Sequence, residues 1–578
     1  MPVAHVEFGA MAITDEATEF VGVVEDLREA IAGLDLPLRT AGQPEGLRVR
    51  QGLLQQLDDY VLPRLRALDA PLLAVVGGST GAGKSTLVNS IVGSPVSRSG
   101  VLRPTTTTPV LVHHPIDTHW FTDQRILPGL ARRTGSDSAD QPGTVRLAAS
   151  ETLLPGVAIL DAPDIDSVVR ANRELAGQLL NAADLWLFVT TAARYADAVP
   201  WDLLRTASDR GTAVAIVLDR IPSEAIDEIR PHLMDMLREH GLGTAPIFTI
   251  PESPLSPAGL LPPDVFARLA AWLQALSQDS RARAIVVSQT LKGAISSLDE
   301  RTASLIKAAR EQTVAADALL AAPLEEFDLA LGRVEQGMAD GSLLRGEVLA
   351  RWQEFVGTGE FFKTVESTVG RWRDRVVAAV KGAPPPSKDL GEALQTGVAA
   401  LVRAHGEAAI LGTAREWRRL PGGEHLLEAQ PSLKLAGAAF PTEVEELVRR
   451  WQSDIFDLVR TEGGNRRTNA RVAAYGVNAV GLVLMLVTFS ATGALTGAEA
   501  GIAGGTAVLA QRVLEAIFGD QAVRSMAAKA RQLLLSRTAE LYAAQRHPFD
   551  QAVPSLTAVR NAAAAVERAA DAVDKATS

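Results

Sequence analysis

Along the chain, hydrophobic positions first recur at helical steps, then cluster in short continuous runs, then return to helical steps. Val24, Leu27, Ile31 and Leu34 are spaced by three and four residues, as are Leu54, Leu57, Val61 and Leu65. Such spacing predicts two amphipathic helices, parted by Pro37 and the Gly42–Gly46 stretch. From Pro71 the pattern becomes Leu72–Val76, Val110–Val112, Val157–Leu160, Leu185–Val189, Ala213–Leu218 and Ile247–Ile250, with helical or polar stretches between. Continuous Val/Ile/Leu runs alternating with helices predict an α/β domain built on a parallel sheet covered on both faces.

After Ala275 the helical period persists. One stripe is Phe327, Leu331, Val334 and Met338; another is Phe361, Val365, Val369, Trp372, Val376 and Val380. Pro384–Pro386 and Pro421–Gly423 interrupt the run. These stripes predict packed faces of long antiparallel helices. Leu556, Val559, Ala563, Val566, Ala570 and Val573 alternate steps of three and four, a small-residue coiled-coil seam.

Val472–Ala498 contains no charged residue. A bilayer core takes about 20 apolar helical residues, so Gly476–Leu495 is long enough to cross; a helix buried in a large bundle is the other reading. Arg466, Arg467 and Arg471 precede the stretch, and Arg512, Arg524, Lys529 and Arg531 follow it. Cations on both sides predict that both ends stay on the cytoplasmic side, as in a hairpin or paddle. Gly493, Gly497, Gly501 and Gly505 would form a smooth strip on a helix, suited to close helix pairing or to a hairpin tip.

Composition narrows the function classes. A length of 578 residues predicts about two to four folding units. With no cysteine, disulfides, thiolate metal sites and cysteine nucleophiles are excluded. A net charge of -11 argues against general nucleic-acid binding. The start at Met1 lacks the basic and apolar regions of a signal peptide, so the N-terminal part is expected to remain in the cytoplasm. Between Met1 and Leu291 the only lysine is Lys84. Arginine serves elsewhere as the plain cation.

That lysine belongs to Gly78-Ser79-Thr80-Gly81-Ala82-Gly83-Lys84-Ser85, a complete P-loop between an apolar strand and the helical pattern Leu87, Val88, Ile91. Its glycines let backbone N–H groups curl round phosphates at a helix N-terminus. Lys84 would reach the β- and γ-phosphates, the Ser85 hydroxyl would bind Mg2+, and Thr86 completes the phosphate-binding turn. Arg103-Pro104-Thr105-Thr106-Thr107-Thr108-Pro109 follows; it reads either as a β-rich connection or as a switch loop whose threonine ligates Mg2+ and meets the γ-phosphate. Asp161, closing the strand before Ala162-Pro163-Asp164, is placed to hold Mg2+ through water. No glutamate follows Asp161 directly, which argues against an ABC-type ATPase. The pair His113-His114 and the pairs Arg132-Arg133, Arg418-Arg419 and Arg449-Arg450 are expected to be ordinary strand or surface residues.

P-loop, threonine stretch and Asp-x-Pro motif, set before long helices and an apolar segment, resemble a bacterial dynamin-like GTPase. The G domain alone also resembles the Era-like branch of small GTPases. The resemblance implies N-terminal helices as a neck (1–70), a P-loop G domain (71–275), an all-α elongated helical stalk (276–471), a membrane-inserting segment (472–511) and returning C-terminal helices (512–578). It implies Thr106 as the switch threonine, with Thr105 and Thr107 beside it, and Lys84 and Thr106 as the residues closest to the chemistry. GTP and Mg2+ are the implied ligands. Membrane lipids, further copies of the chain and an unidentified protein are the implied partners, at the cytoplasmic face of the cell membrane. Nucleotide state would drive G-domain pairing and membrane remodelling; a slow membrane-anchored switch is the alternative. Departures are visible. Asp164 stands where the family's third motif has glycine, and Thr80-Gly81 replaces its Gln-Ser pair. The base-reading motif aligns on Asp219-Arg220-Ile221-Pro222 without its final aspartate, which leaves adenine as an alternative base.

Overall fold

The computed structural model describes residues 15–98, 108–123, 125–135, 143–167, 169–339, 351, 386–462, 477–488, 514–515 and 518–577. Two compact units emerge. One comprises Met1–Leu36, Gly42–Glu311 and Thr557–Ser578, the other Pro37–Ala41 and Gln312–Leu556.

The first unit is organised by a sheet of strands β1 (Leu72–Gly78), β2 (Val110–His113), β3 (Ala131–Thr134), β4 (Thr144–Ala149), β5 (Val157–Asp161), β6 (Leu185–Thr191), β7 (Ala213–Ile221) and β8 (Ile247–Pro251). Their order is β3-β4-β2-β5-β1-β6-β7-β8. From β5 to β8 neighbouring strands are parallel. β2, β4 and β3 are parallel to one another, and β2 meets β5 antiparallel. The sheet is therefore mixed where sequence predicted it parallel. The six apolar runs all form strands, but β3 and β4 were not anticipated. Their residues alternate or are polar (Arg132, Arg133, Arg146) and partly exposed, so they lack the continuous apolar run that marks a doubly covered strand.

Alternation along β1 divides the interior. Leu73 and Val75 face a core closed by helices Arg170–Asn181, Ala198–Asp209 and Ile226–Glu239, whereas Leu72, Ala74 and Val76 face one closed by Lys84–Val92 and Ala267–Gln278. Helix Asp15–Gly33 packs along Thr557–Thr577. Val24, Leu27 and Ile31 of the first helix and Val559, Val566 and Val573 of the second are buried, as is Leu34 just after the first.

A buried joint lies at the start of β6. The Asp184 carboxylate accepts from Arg64 Nη2 at 2.6 Å, from the Leu73 amide at 2.8 Å and from the Tyr60 hydroxyl at 3.1 Å. Thr290, on the long helix Ser280–Ala339, donates to the Asp184 carbonyl at 2.8 Å and accepts from the Ala213 amide at 3.0 Å. Nearby, Gly211 (φ 67°) and Gly293 touch backbone to backbone; a Cβ on Gly293 would lie 2.6 Å from the Gly211 Cα. Only glycine fits there.

In the second unit, helices Pro386–Trp417, Phe440–Glu462, Val477–Thr488 and Asp520–Ala552 pack together. Buried aromatics keep their polar ends satisfied. Trp451 Nε1 donates to the Ala530 carbonyl at 2.8 Å, Trp417 Nε1 to Leu319 at 2.9 Å, and Tyr542 to Val402 at 2.6 Å. Of the predicted stripe on the preceding helix, Phe327, Val334 and Met338 are buried. The stripe from Phe361 to Val380 lies outside the described residues.

Of the apolar segment, Val477–Thr488 lies among the described residues. Among the described residues no helix is long and apolar enough to cross a membrane. Val477–Thr488 is the described helix of this stretch. Its Val480, Leu482, Val483, Leu484 and Met485 are buried, and Gly481 admits the Phe456 ring. The apolar side chains that suggested a transmembrane helix here pack against protein. Residues 489–513, with Gly493, Gly497, Gly501 and Gly505, lie outside the described residues.

Asp184→Ala would leave the Arg64 guanidinium buried without its counter-charge. We expect a loss of about 3–5 kcal/mol of unfolding free energy, measurable by urea denaturation. A change below about 1 kcal/mol would remove this joint from the determinants of stability.

Candidate active site

β1 runs directly into the loop Gly78–Gly83 and the helix Lys84–Val92. Two glycines are dictated by close approach. A Cβ on Gly78 would lie 2.0 Å from the Val189 carbonyl oxygen, and one on Gly83 (φ 95°) would lie 2.2 Å from Asp219 Oδ2. Gly81 also has positive φ. The loop is therefore curled tightly against β6 and β7, as a main-chain phosphate cradle requires.

Lys84 turns back along this loop and is only 5% exposed. Its Nζ donates to the Gly78 carbonyl at 2.9 Å, the Ser79 carbonyl at 3.0 Å and Asp164 Oδ1 at 2.5 Å. All three ammonium protons thus have acceptors. The Ser79 side chain is buried with no partner for its hydroxyl. Thr86 sits in the first helical turn, where its carbonyl accepts from Ser90 Oγ at 2.7 Å. Ala82 is buried beneath the loop.

Asp161 closes β5 next to Ser85. Its Oδ2 accepts from Ser85 Oγ at 2.6 Å and from Ser97 Oγ at 2.5 Å, while Oδ1 is buried without a partner. Burial pushes this carboxyl above its ordinary range, opposed by the two hydroxyls and Lys84. A buried carboxylate with an orphaned oxygen, touching a hydroxyl, is a hard-oxygen set suited to Mg2+. The residues present fit that ion, and Ser85 and Asp161 would hold it. Among the described residues no group of three or more His, Cys, Asp or Glu side chains forms a separate metal cluster.

Sequence reasoning did not single out Asp166, Arg194 or Ser97. Asp166 Oδ1 accepts from both the Thr80 amide and Thr80 Oγ1 at 2.6 Å. Arg194 donates to the Thr80 carbonyl at 2.9 Å and to Asp166 Oδ2 at 3.0 Å. The spacing of Asp161, Asp164 and Asp166 was a readable signal. Arg194, in the loop after β6, carried none.

At the end of β7, Asp219 is buried against Gly83 with Oδ1 unpartnered. Arg220 (φ 51°) donates to the Gly81 carbonyl. The structure thus brings Asp219 and Arg220 together with the P-loop. Thr105, Thr106 and Thr107 lie outside the described residues. His113 is buried and stacks on Phe121, while His114 caps a turn through the Ile116 amide. The Arg132 guanidinium is consumed by backbone carbonyls, including those of Phe121 at 2.8 Å and Leu130 at 2.6 Å.

No protein-family model and no curated protein matches the chain. Solved structures do. The chain is similar to an oligomerised bacterial dynamin pair described as sensing and tethering membranes at long range, at 11% identity over 98% of this chain and 96% of that one, with a TM-score of 0.49. It is similar to LeoA, a bacterial dynamin GTPase from ETEC, at 10% identity over 96% and 98% of the two chains, TM-score 0.24. Aquifex aeolicus Era bound to GDP and aluminium fluoride aligns with 36% of this chain and 56% of its own length, at 20% identity and TM-score 0.22. The resemblance drawn from the motif layout is met among these structures.

Burial pushes the Asp219 carboxyl up to about 6, with the Arg220 amide and charge opposing. In an unfolded chain the value is about 3.9. The stability tied to protonated Asp219 is therefore present below about pH 4 and is lost as the pH rises through about 6. Asp219→Asn should remove that loss, gaining on the order of 2–3 kcal/mol over wild type between pH 4 and 7. Urea unfolding at the two pH values measures it; parallel profiles for the two proteins would refute the assignment.

Proposed function

We propose that this chain is a membrane-associated, dynamin-like GTPase that binds and hydrolyses GTP with Mg2+ and couples nucleotide state to pairing of its P-loop domains and to membrane remodelling. The observation that supports the reading best is the convergence of Lys84, Ser85 and Asp161 on one loop at a helix N-terminus. In this reading the P-loop amides and Lys84 bind the phosphates, and Ser85 with Asp161 orients the metal. Mg2+ would supply charge neutralisation at the phosphates. Arg220 fixes the Gly81 carbonyl and so the curvature of the cradle, and Asp219 packs beneath Gly83. Thr106 is proposed as the switch threonine. Guanine is proposed from the family resemblance.

The membrane part takes its support from the arginines flanking the uncharged stretch Val472–Ala498 and from the uncharged residues of that stretch outside Val477–Thr488. Lipids and further copies of the chain are the proposed partners, at the cytoplasmic face of the membrane. A slow, membrane-anchored switch is the second reading, favoured by the Asp164–Lys84 contact.

Competition of GTP, ATP and GDP for purified wild type and Lys84→Ala tests the nucleotide half. The guanine nucleotides should win over ATP, and the alanine variant should lose about tenfold or more in triphosphate affinity, since a charge-assisted contact contributes roughly 1.5–3 kcal/mol. Equal binding by both proteins would contradict the site. Flotation with anionic liposomes tests the membrane half: protein should rise with the vesicles, and protein left at the bottom of the gradient would end that half. Turnover with and without liposomes separates motor from switch, with strong lipid stimulation expected for the motor and a flat slow rate for the switch.

A further inference from the structure

The contact between Asp164 and Lys84 places a carboxylate on the ammonium that a phosphate cradle offers to its ligand. Asp164 follows β5 in the loop Asp161-Ala162-Pro163-Asp164 and is 15% exposed at the side chain. Its loop is fastened to the P-loop strand on both sides of it. The Ala162 amide donates to the Val76 carbonyl at 3.2 Å, and the Ile165 amide to the Gly78 carbonyl at 3.4 Å. Two residues on, Asp166 grips Thr80 by amide and hydroxyl, and Arg194 ties Asp166 to the Thr80 carbonyl. Asp164 is thereby presented to the lysine by neighbours on either side, and its carboxylate supplies the one anionic acceptor among the three that Lys84 has.

We propose that Asp164 acts as a built-in competitor of a terminal phosphate, holding the Lys84 ammonium so that the site prefers a nucleoside diphosphate over the triphosphate until this carboxylate turns away. The inference rests on the nucleotide reading above and deepens it to a discrimination between two phosphate states. A carboxylate and a phosphate oxygen are both anionic acceptors for the same ammonium. Both cannot occupy its third proton, and like charges at contact distance repel. A diphosphate adds less negative charge beside Asp164, so it meets less of this competition.

Fluorescent GDP and a fluorescent non-hydrolysable GTP analogue would be titrated, with Mg2+, into full-length wild type, Asp164→Asn and Asp164→Gly, with thermal melting of each protein as the folding control. Wild type should bind the diphosphate ~10-fold or more tightly than the triphosphate analogue. Both variants should tighten triphosphate binding by ~10-fold while diphosphate binding changes less than ~3-fold. A ratio unchanged from wild type in either folded variant overturns the inference. If neither variant folds, the wild-type ratio decides, and a wild type that prefers triphosphate overturns it as well. A wild type that binds neither nucleotide removes the nucleotide reading itself and this inference with it; a wild type that binds both, with no effect of Asp164, removes the inference alone.

Discussion

An ammonium group taken out of water must be surrounded by acceptors, and the first unit is arranged around meeting that demand at Lys84. Two of its partners are carbonyls of its own loop, so the loop must curl back on itself. Curling requires glycines where β6 and β7 crowd the backbone. The third partner comes from the loop after β5, which makes the β1–β5 pairing a condition of the site as much as of the core. Desolvated charge of this kind persists only when every proton is accommodated. The curl of the cradle follows from one loop satisfying one buried cation, and Asp161 on Ser85 and Asp166 on Thr80 fasten the same loop from the strand beside it and the turn after that strand.

The strands that carry the site were legible because they are buried on both faces and so are continuously apolar. β3 and β4 were not, since half of each faces outward and their arginines break the pattern. P-loop chemistry was legible at residue level because it depends on backbone conformation, which only glycine at fixed positions permits. Asp164 was visible as a departure from a motif, but not as a partner of Lys84, because a contact between residues 80 positions apart is set by strand pairing and not by spacing. Arg194 illustrates the same limit in a loop without any local signature.

The apolar segment shows a different limit. An uncharged helical stretch is compatible with lipid and with the interior of a helical bundle, because both solvents reward the same side chains. Residues 477–488 have protein for neighbours: Phe456 of the helix Phe440–Glu462 seats on Gly481, and the helices Pro386–Trp417 and Asp520–Ala552 also pack against them. Hydropathy registers the absence of water. It carries no information on what replaces the water.

The meeting of Gly211 with Gly293 sets a mechanical limit. Two main chains that touch without side chains between them have no soft material to compress, since rotamer changes cannot absorb a shift there. With Thr290 bridging β6 and β7 one turn away, the first turns of the long helix are held in fixed axial register with the very strand whose far end carries Asp219 and Arg220. Within that unit, strand and helix should move as a single piece, and any hinge must lie elsewhere.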